Sequence, residues 1–198
     1  HFHYFKHSIN LLLDEGHECQ IAARDKDVLV TLLKKSRLNY SITSKNRETL
    51  LGKFFNMFRM EYSIYSIARE FKPDLMVSCF SMYASHVAKL LDIKFIAFTQ
   101  TDHAWFTHIV AEPFTDIIAT PKHFSYSFGK KQIRFDGSLE LAYLHPSRFR
   151  PDDTVLEDLE LKNKNGFVII RLVSTKSVHD SGSGFSRTEL YKMIRYFS

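Results

Sequence analysis

The spacing of apolar and polar residues along the chain predicts a succession of helices and strands. Residues 2–15 carry apolar side chains at helical spacing, and Gly16 is expected to end this helix. A second helix is predicted over 26–36, with Asp25 as its N-cap. A long helix over 46–71 should end at Lys72, because a residue that precedes proline disfavours helical backbone.

Short apolar runs between the helices are predicted strands. In these runs successive residues are apolar, rather than every second residue, as expected when helices cover both faces of a parallel sheet. Strand and helix follow one another with short connections, which favours a doubly wound, Rossmann-like α/β sheet. The predicted strands are residues 19–23, 39–43, 75–79, 94–98 and 116–120. A helix is predicted over 82–92, between the third and fourth of these strands.

The two ends of the chain indicate a division into two domains. We predict a first Rossmann-like domain over 1–148, whose leading strand is expected to precede residue 1, because every later helix follows a strand. Residues 149–198 are predicted as a linker and the truncated start of a second domain. This segment holds a linking helix over 151–161 and a buried strand over 167–174. A helix over 186–197 opens with a capping box of Ser186 and Glu189, and one strand with one helix cannot form an independent sheet.

Composition and charge describe a globular chain with few special features. Apolar residues make up 44% of the 198 residues, charged residues 25%, and the net charge is +5. Lysine and arginine rarely cluster beyond pairs, so no nucleic-acid partner is expected. No apolar run reaches the roughly 18 residues of a membrane-spanning helix. Cys19 and Cys79 are interpreted as small core residues of two predicted strands, which fits a reducing, cytoplasmic location.

Asp102 and His103 are the leading candidates for chemistry. They follow the predicted strand over 94–98, and ligands of doubly wound sheets bind outside the carboxyl ends of strands. A carboxylate beside an imidazole makes a usable acid or base near neutral pH. The alternative is that Asp102 merely caps the helix that contains Trp105 and Phe106.

A second acid–imidazole pair, His179 and Asp180, lies in the polar loop over 174–186. This loop could bend around a phosphate at the start of the following helix, or it could be a plain surface loop. If both pairs faced one cleft between domains, they would converge. The helix over 50–71 is apolar around more than half its circumference, so it either packs against a neighbour or provides peripheral membrane contact.

Two patterns raise the question of a metal site. Two acids flank Lys26, but a helix N-terminus rich in acids explains that run equally well. His1 and His3 lie two residues apart at the start of a helix, where such side chains diverge. No metal site and no cofactor are therefore expected.

The chain resembles the domain-of-unknown-function family 354 of bacteria and archaea, over essentially its whole length. Residues 129–146 are the most specific part of the resemblance. The segments that carry it, in order, are HFHYFKH, GHECQIAARDKD, LLGKFF, FKPDLMVS, TDHA, EPFTDIIATP, GKKQIRFDGSLELAYLHP, FRPDDTVLEDLEL, VIIRLVS and HDSGSGFS.

That family looks like a member of the glycosyltransferase-B (GT-B) superfamily, which also contains the non-hydrolysing nucleotide-sugar 2-epimerases. The resemblance implies two Rossmann-like domains across a cleft, with the acceptor in the first and the nucleotide-sugar in the second. It places His1 and His3 in the loop of the first strand as substrate-binding residues. It places Arg171 and Ser174 in the donor half, and assigns catalytic roles to Asp102, His103, His179 and Asp180. The chain departs from the family pattern at 78–82, where a glycine-rich turn is replaced by larger residues, and at Thr175.

The function expected from this resemblance is a nucleotide-sugar-dependent glycosyltransferase of surface polysaccharide or glycolipid synthesis. Its partners would be a nucleotide-sugar donor and a saccharide or lipid-linked acceptor, in the cytoplasm or peripheral to the membrane. A 2-epimerase-like isomerase and a non-catalytic binder of saccharides or lipid carriers are the alternatives. The chain alone is expected to be inactive, because the donor site would lie in the second domain.

Overall fold

The computed structural model describes residues 2–25, 28–45, 50–161, 166–170 and 186–197. The chain divides into two compact units, His1–Phe149 and Arg150–Ser198. In the first unit, strands and helices alternate over most of the length, as the sequence predicts. Its elements are α1 (Phe2–Asp14), β1 (Ile21–Asp25), α2 (Leu29–Ser36), β2 (Tyr40–Lys45), α3 (Leu50–Phe71), β3 (Leu75–Ser78), α4 (Met82–Leu90), β4 (Lys94–Phe98), α5 (Trp105–Ala111), β5 (Ile117–Pro121), β6 (Gln132–Phe135) and α6 (Leu141–Leu144).

All strand pairs of the first unit are parallel, which confirms the Rossmann-like α/β class. One sheet consists of β1 and β2, and the other has the order β3-β4-β5-β6. In the second sheet β4 and β5 are central, and their residues are the most deeply buried of the strands. The strand β3 lies at one end of this sheet, and Leu75 and Val77 on one of its faces are each 46% exposed.

The main core lies between this sheet and α4. Phe95 and Ala97 of β4 and Ile118 of β5 are fully buried, and they form one cluster with Ala84 and Ala88 of α4. Small alanines on the helix allow the large Phe95 ring to pack closely, because interiors are filled to near crystal density. On its other side α4 packs against α3, where Val87 joins a cluster of Met60, Ile64 and Ala68.

The helix α3 therefore uses one face for packing. Its buried residues Met60, Ile64 and Ala68 repeat at intervals of four, as expected for a core-facing stripe. Phe58 and Tyr62 are exposed on another face. Packing against a neighbour thus accounts for part of the apolar surface of this helix, and membrane contact through it stays a prediction. None of the helices in the described ranges is long and apolar enough to cross a membrane.

Several local predictions are confirmed and others are wrong. Gly16 follows α1 with φ +87°, and Lys72 ends α3 in the left-handed region with φ +53°. Asp25 does not cap α2, because it is the last residue of β1, and α2 begins after Val28 without a side-chain cap. The strand β6 was not predicted.

The two cysteines lie outside the strands in which they were predicted. Cys19 lies two residues before β1 begins at Ile21, and Cys79 directly follows Ser78 at the end of β3. Both are partly buried, with intermediate exposure to solvent. They are therefore not the small core residues of two strands that the sequence suggested.

The second unit contains two described helices, α7 (Thr154–Asp158) and α8 (Arg187–Phe197). The predicted capping box is confirmed: Ser186 donates its backbone N–H to Glu189 over 2.7 Å, and Glu189 donates its own N–H to the Ser186 hydroxyl over 3.3 Å. Residues 167–170 have no strand pairing, in contrast to the strand predicted over 167–174, and residues 171–174 lie outside the described part.

A carboxylate at the start of β5 is hydrogen-bonded to β4, and its ionisation makes the stability of the fold depend on pH. Asp116 accepts the backbone N–H of Phe95 over 2.9 Å and the Lys94 ammonium over 3.1 Å. The hydrogen bond from Phe95, followed by the contact with Lys94, holds the pKa of Asp116 below its usual range. An ionised carboxylate with a lowered folded-state pKa stabilises the fold above the unfolded pKa of about 3.9, and this contribution is lost as pH falls through the folded value.

Replacing Asp116 with asparagine should therefore destabilise the protein at pH 7 and reduce its sensitivity to acid. Urea unfolding measured from pH 7 to pH 3 should show the two proteins converging below about pH 4. Asp136→Asn is the matched control, because the Asp136–Lys122 pair lies in open solvent and surface pairs contribute little. A constant difference between wild type and Asp116→Asn across this range would contradict the assignment.

Candidate functional site

The loop after β4 carries Asp102 at the carboxyl edge of the sheet. Asp102 is exposed, and its Oδ1 accepts the backbone N–H of Ser125 over 2.9 Å. Ser125 belongs to the connection between β5 and β6. The N-cap of α5 is Ala104, which makes no side-chain capping bond. The capping interpretation of Asp102 is therefore wrong, and the carboxylate instead joins two loops at the same edge.

His103 directly follows Asp102 and is also exposed to solvent. The backbone turns at this point, since the N–H of Ala104 donates to the carbonyl of Thr101 over 3.2 Å and α5 then begins. The structure thus presents an imidazole and a carboxylate on adjacent residues beyond the end of a central strand. Both side chains are open to solvent.

A second histidine lies beneath this loop and was not singled out as functional from the sequence. His108 of α5 is 3% exposed, and its Nε2 is hydrogen-bonded to the Thr99 hydroxyl at 3.2 Å. The rings of Phe80, Phe124 and Phe128 surround it with centroid distances of 4.9, 5.9 and 5.3 Å. Burial lowers the pKa of His108, although the charge of Asp102 acts in the opposite direction. A neutral, buried imidazole of this kind supports the loop from below.

The turn between β3 and α4 lies next to this aromatic cluster. Phe80 has φ +50°, a conformation that glycine adopts most easily and that costs other residues roughly 1 kcal/mol. Its ring is buried and stacks on Phe128 at 5.6 Å, which offsets that cost. Ser78 accepts the N–H of Ser81, and Ser81 caps α4. The turn that departs from the glycine-rich family pattern is therefore held by a buried side chain.

A polar cluster at the same edge joins three distant parts of the chain. Glu140 Oε1 accepts the Gln100 side-chain amide over 2.6 Å and the Tyr4 hydroxyl over 3.3 Å. Gln100 Oε1 in turn accepts the backbone N–H of Leu139 over 2.9 Å. The ring of Phe5 meets that of Phe98 at 5.7 Å, so the start of α1 lies beside the end of β4.

The ionisation of this cluster is set by its contacts. Burial, followed by the negative charge of Glu140, raises the pKa of Tyr4 to about 12. Burial alone would raise the pKa of Glu140, but hydrogen bonds from its own backbone N–H and from Gln100, Ser138 and Tyr4 lower it overall. At neutral pH Tyr4 is therefore a hydrogen-bond donor and Glu140 an ionised acceptor. No pattern in the sequence indicates this pair, whose two residues lie 136 positions apart in the chain.

Of the other predicted site residues, His3 alone lies in the described part of the chain. His3 is exposed near the start of α1, and its ring lies 5.4 Å from that of Tyr143, whose ring also meets Tyr4 at 5.9 Å. His3 therefore belongs to the edge that holds the Glu140 cluster. The residues that lie outside the described part are His1, Arg171, Ser174, His179 and Asp180.

Two further observations bear on the chemistry of this edge. Burial raises the pKa of Cys79 to about 11, so its thiol remains protonated at neutral pH and is a poor nucleophile. Within the described ranges, no three His, Cys, Asp or Glu side chains are grouped so that they could hold a metal ion.

The parallel sheets, the covering helices and the polar carboxyl edge define a Rossmann-like α/β protein with a glycosyltransferase-like fold. The family model described as "Protein of unknown function (DUF354)" matches residues 1–190. The chain therefore belongs to this family, as its sequence motifs suggested.

Two solved structures match the chain at low sequence identity, and the first of them shows the shared fold. The crystal structure of MurG from Acinetobacter baumannii matches with a TM-score of 0.57 and 16% identity, covering 69% of this chain and 42% of that chain. A glycosyltransferase from Rickettsia africae ESF-5 matches with a TM-score of 0.49 and 15% identity, covering 81% of this chain and 45% of that chain. The chain thus spans less than half the length of either protein. No curated protein matches it.

Proposed function

We propose that this protein takes part in transferring a sugar from a nucleotide-sugar donor to a hydroxyl group of a saccharide or lipid-linked acceptor. The observation that carries the proposal is the exposed Asp102–His103 pair beyond the end of β4. Ligands of doubly wound sheets bind at this edge. A fold shared with MurG and motifs that resemble the GT-B superfamily support the sugar-handling role.

His103 is the proposed general base. Its imidazole takes the proton of the acceptor hydroxyl while the oxygen forms a bond to C1 of the donor sugar. The bond between C1 and the diphosphate oxygen breaks, and its electron pair leaves with the nucleoside diphosphate. The carboxylate of Asp102 stabilises the imidazolium, and the hydrogen bond from Ser125 fixes the position of that carboxylate.

The polar cluster around Glu140 is the proposed acceptor-binding part of the site. Its ionised carboxylate accepts hydrogen bonds from Gln100, Tyr4, Ser138 and its own backbone N–H, and a remaining lone pair is proposed to accept a sugar hydroxyl. His3 lies on the same side and contributes an exposed donor or acceptor. In the donor half, Arg171 and Ser174 are proposed to bind the diphosphate. His179 and Asp180 are proposed as the second acid–imidazole pair.

The test is incubation of the full-length family protein with labelled nucleotide-sugars and a panel of saccharide and lipid-linked acceptors. Formation of a labelled acceptor product is the expected result. Free sugar as the sole product would contradict transfer. The same reaction in deuterated water separates the isomerase alternative, because an epimerase that inverts C2 would incorporate solvent deuterium there.

A further inference from the structure

A small cavity with polar walls lies between α1 and the end of α6 with the residues that follow it. Its volume is about 200 Å³, and all of its lining residues belong to the first unit. His7 and Ser8 of α1 form one wall, and His145 and Arg148 lie on the opposite wall. Of the described site residues that the sequence predicted, none lines this cavity.

One face of α1 serves both this cavity and the Glu140 cluster. Four residues at the spacing i, i+3, i+4 and i+7 share that face: Tyr4, His7, Ser8 and Leu11. Tyr4 donates to Glu140 over 3.3 Å, and the other three line the cavity one to two turns further along the helix. The cavity therefore adjoins the proposed acceptor-binding cluster.

Cationic side chains collect around the cavity. The guanidinium of Arg148 is exposed, and in the described part of the chain it has no carboxylate within ion-pair distance. Burial, followed by the positive charges of Lys6, Arg148 and His3, lowers the pKa of His7. Glu140 precedes the wall that carries Arg148, but its carboxylate accepts hydrogen bonds from the polar cluster. The cavity is thus a local excess of positive charge.

The hydrogen bonds of His145 determine which of its ring nitrogens can serve a ligand. The backbone N–H of Ser147 donates to Nδ1 of His145 over 3.2 Å, and the Ser147 hydroxyl lies 2.7 Å from the same nitrogen. Because a backbone N–H can only donate, Nδ1 is an acceptor and the proton of the neutral imidazole is on Nε2. His145 therefore offers an Nε2–H donor at the cavity wall.

We propose that this cavity binds a phosphate group. Its two walls supply hydrogen-bond donors from different directions: the guanidinium of Arg148, the Nε2–H of His145, an N–H of His7 and the hydroxyl of Ser8. The oxygens of a phosphate point in several directions, whereas a carboxylate presents two oxygens in one plane. The volume lies below the roughly 300 Å³ at which pockets for whole drug-sized ligands begin, so it suits the phosphate rather than an entire nucleotide-sugar.

This phosphate could be the free inorganic anion or part of a phosphorylated saccharide that extends towards the Glu140 cluster. Both sources present the same group to the cavity, and the experiment distinguishes them. The proposal does not rest on glycosyl transfer, because it concerns binding without turnover.

The imidazole resonances of His7 and His145 report occupancy of the cavity directly. They are followed by NMR in the full chain and assigned with the variants His7→Asn and His145→Asn. Inorganic phosphate is added in a chloride background at constant ionic strength, and saturable shifts of both resonances are the expected result. Glucose 1-phosphate is the second probe: tighter binding than inorganic phosphate identifies a phosphorylated saccharide as the source, and equal or weaker binding identifies the free anion.

The pKa of His7 provides a second readout. The groups that face it are Lys6 and His3 on α1, and Arg148 and His145 on the opposite wall. A bound phosphate offsets these cations, so a pH titration with saturating phosphate should give a higher pKa of His7 than one without. A structural role of the same side chains would not produce this shift.

Variants locate the binding to this cavity. Arg148→Gln should weaken phosphate binding about tenfold or more, because it removes a positive charge and a charge-assisted hydrogen bond. Ser8→Ala on the opposite wall should weaken it severalfold. Arg59→Gln is the matched control: Arg59 is exposed on α3, and its replacement changes the net charge equally but should leave the affinity unchanged.

Three results would overturn the proposal. The first is the absence of saturable shifts of the His7 and His145 resonances with either phosphate probe. The second is an equal loss of affinity in Arg148→Gln and Arg59→Gln, which would indicate attraction to the net charge alone. The third is binding of acetate as tight as that of phosphate. Failure of transferase activity would not affect any of these readouts.

Discussion

Replacing Phe95 with alanine should lower the free energy of unfolding by about 3–5 kcal/mol. The Phe95 side chain is fully buried in the centre of β4, among the alanines of α4 and the side chain of Ile118. Truncation removes the largest of the fully buried side chains and leaves a cavity that small neighbours cannot fill. Stability is measured by urea unfolding at pH 7, monitored by circular dichroism.

Phe106→Ala is the matched control for this experiment. It makes the same chemical change on α5, where the ring is 59% exposed, and should change stability by less than about 1 kcal/mol. If both variants lost the same free energy, the placement of Phe95 in the core would be wrong.

His103→Ala should lower kcat of the proposed sugar transfer by roughly 10²- to 10⁴-fold, the usual contribution of a general base. Asp102→Asn should also lower kcat, because it removes the charge that stabilises the imidazolium while an amide can still accept the Ser125 N–H. Both variants should remain as stable as wild type, since the two side chains are exposed. The measurement is product formation under saturating donor and acceptor.

A second exposed histidine provides the control for the same assignment. His17→Ala, which removes an exposed imidazole after α1, should leave the rate unchanged. A His103→Ala enzyme with wild-type kcat would remove this residue from the mechanism.

Local patterns were sufficient to predict most of the elements, and the reason is physical. Residues 95–98 and 117–119 are apolar at every position because helices cover both faces of the central strands, and both runs form strands. The strand β6 was missed because its short sequence, with Arg134 and Gln132, lacks such a run. The left-handed backbone of Phe80 is stabilised by the packing of its buried ring, which the sequence alone does not reveal.

The candidate site could be predicted only in part. Asp102 and His103 were identifiable because they follow a buried strand directly. The partner of Asp102 could not be predicted, because Ser125 lies 23 residues away on another loop. The same holds for the Tyr4–Glu140 pair and for the burial of His108, which depends on rings from several elements.

The position of β3 at the end of its sheet has a consequence for handling the protein. One row of its amide and carbonyl groups faces no neighbouring strand within the described ranges, and Leu75 and Val77 leave the adjoining face apolar. Such a border can pair with a further strand, either the leading strand that the sequence analysis expects before residue 1 or a strand of another molecule. Sedimentation velocity over a range of loading concentrations should therefore accompany any solution assay, because reversible self-association at this border would otherwise be mistaken for ligand-driven assembly.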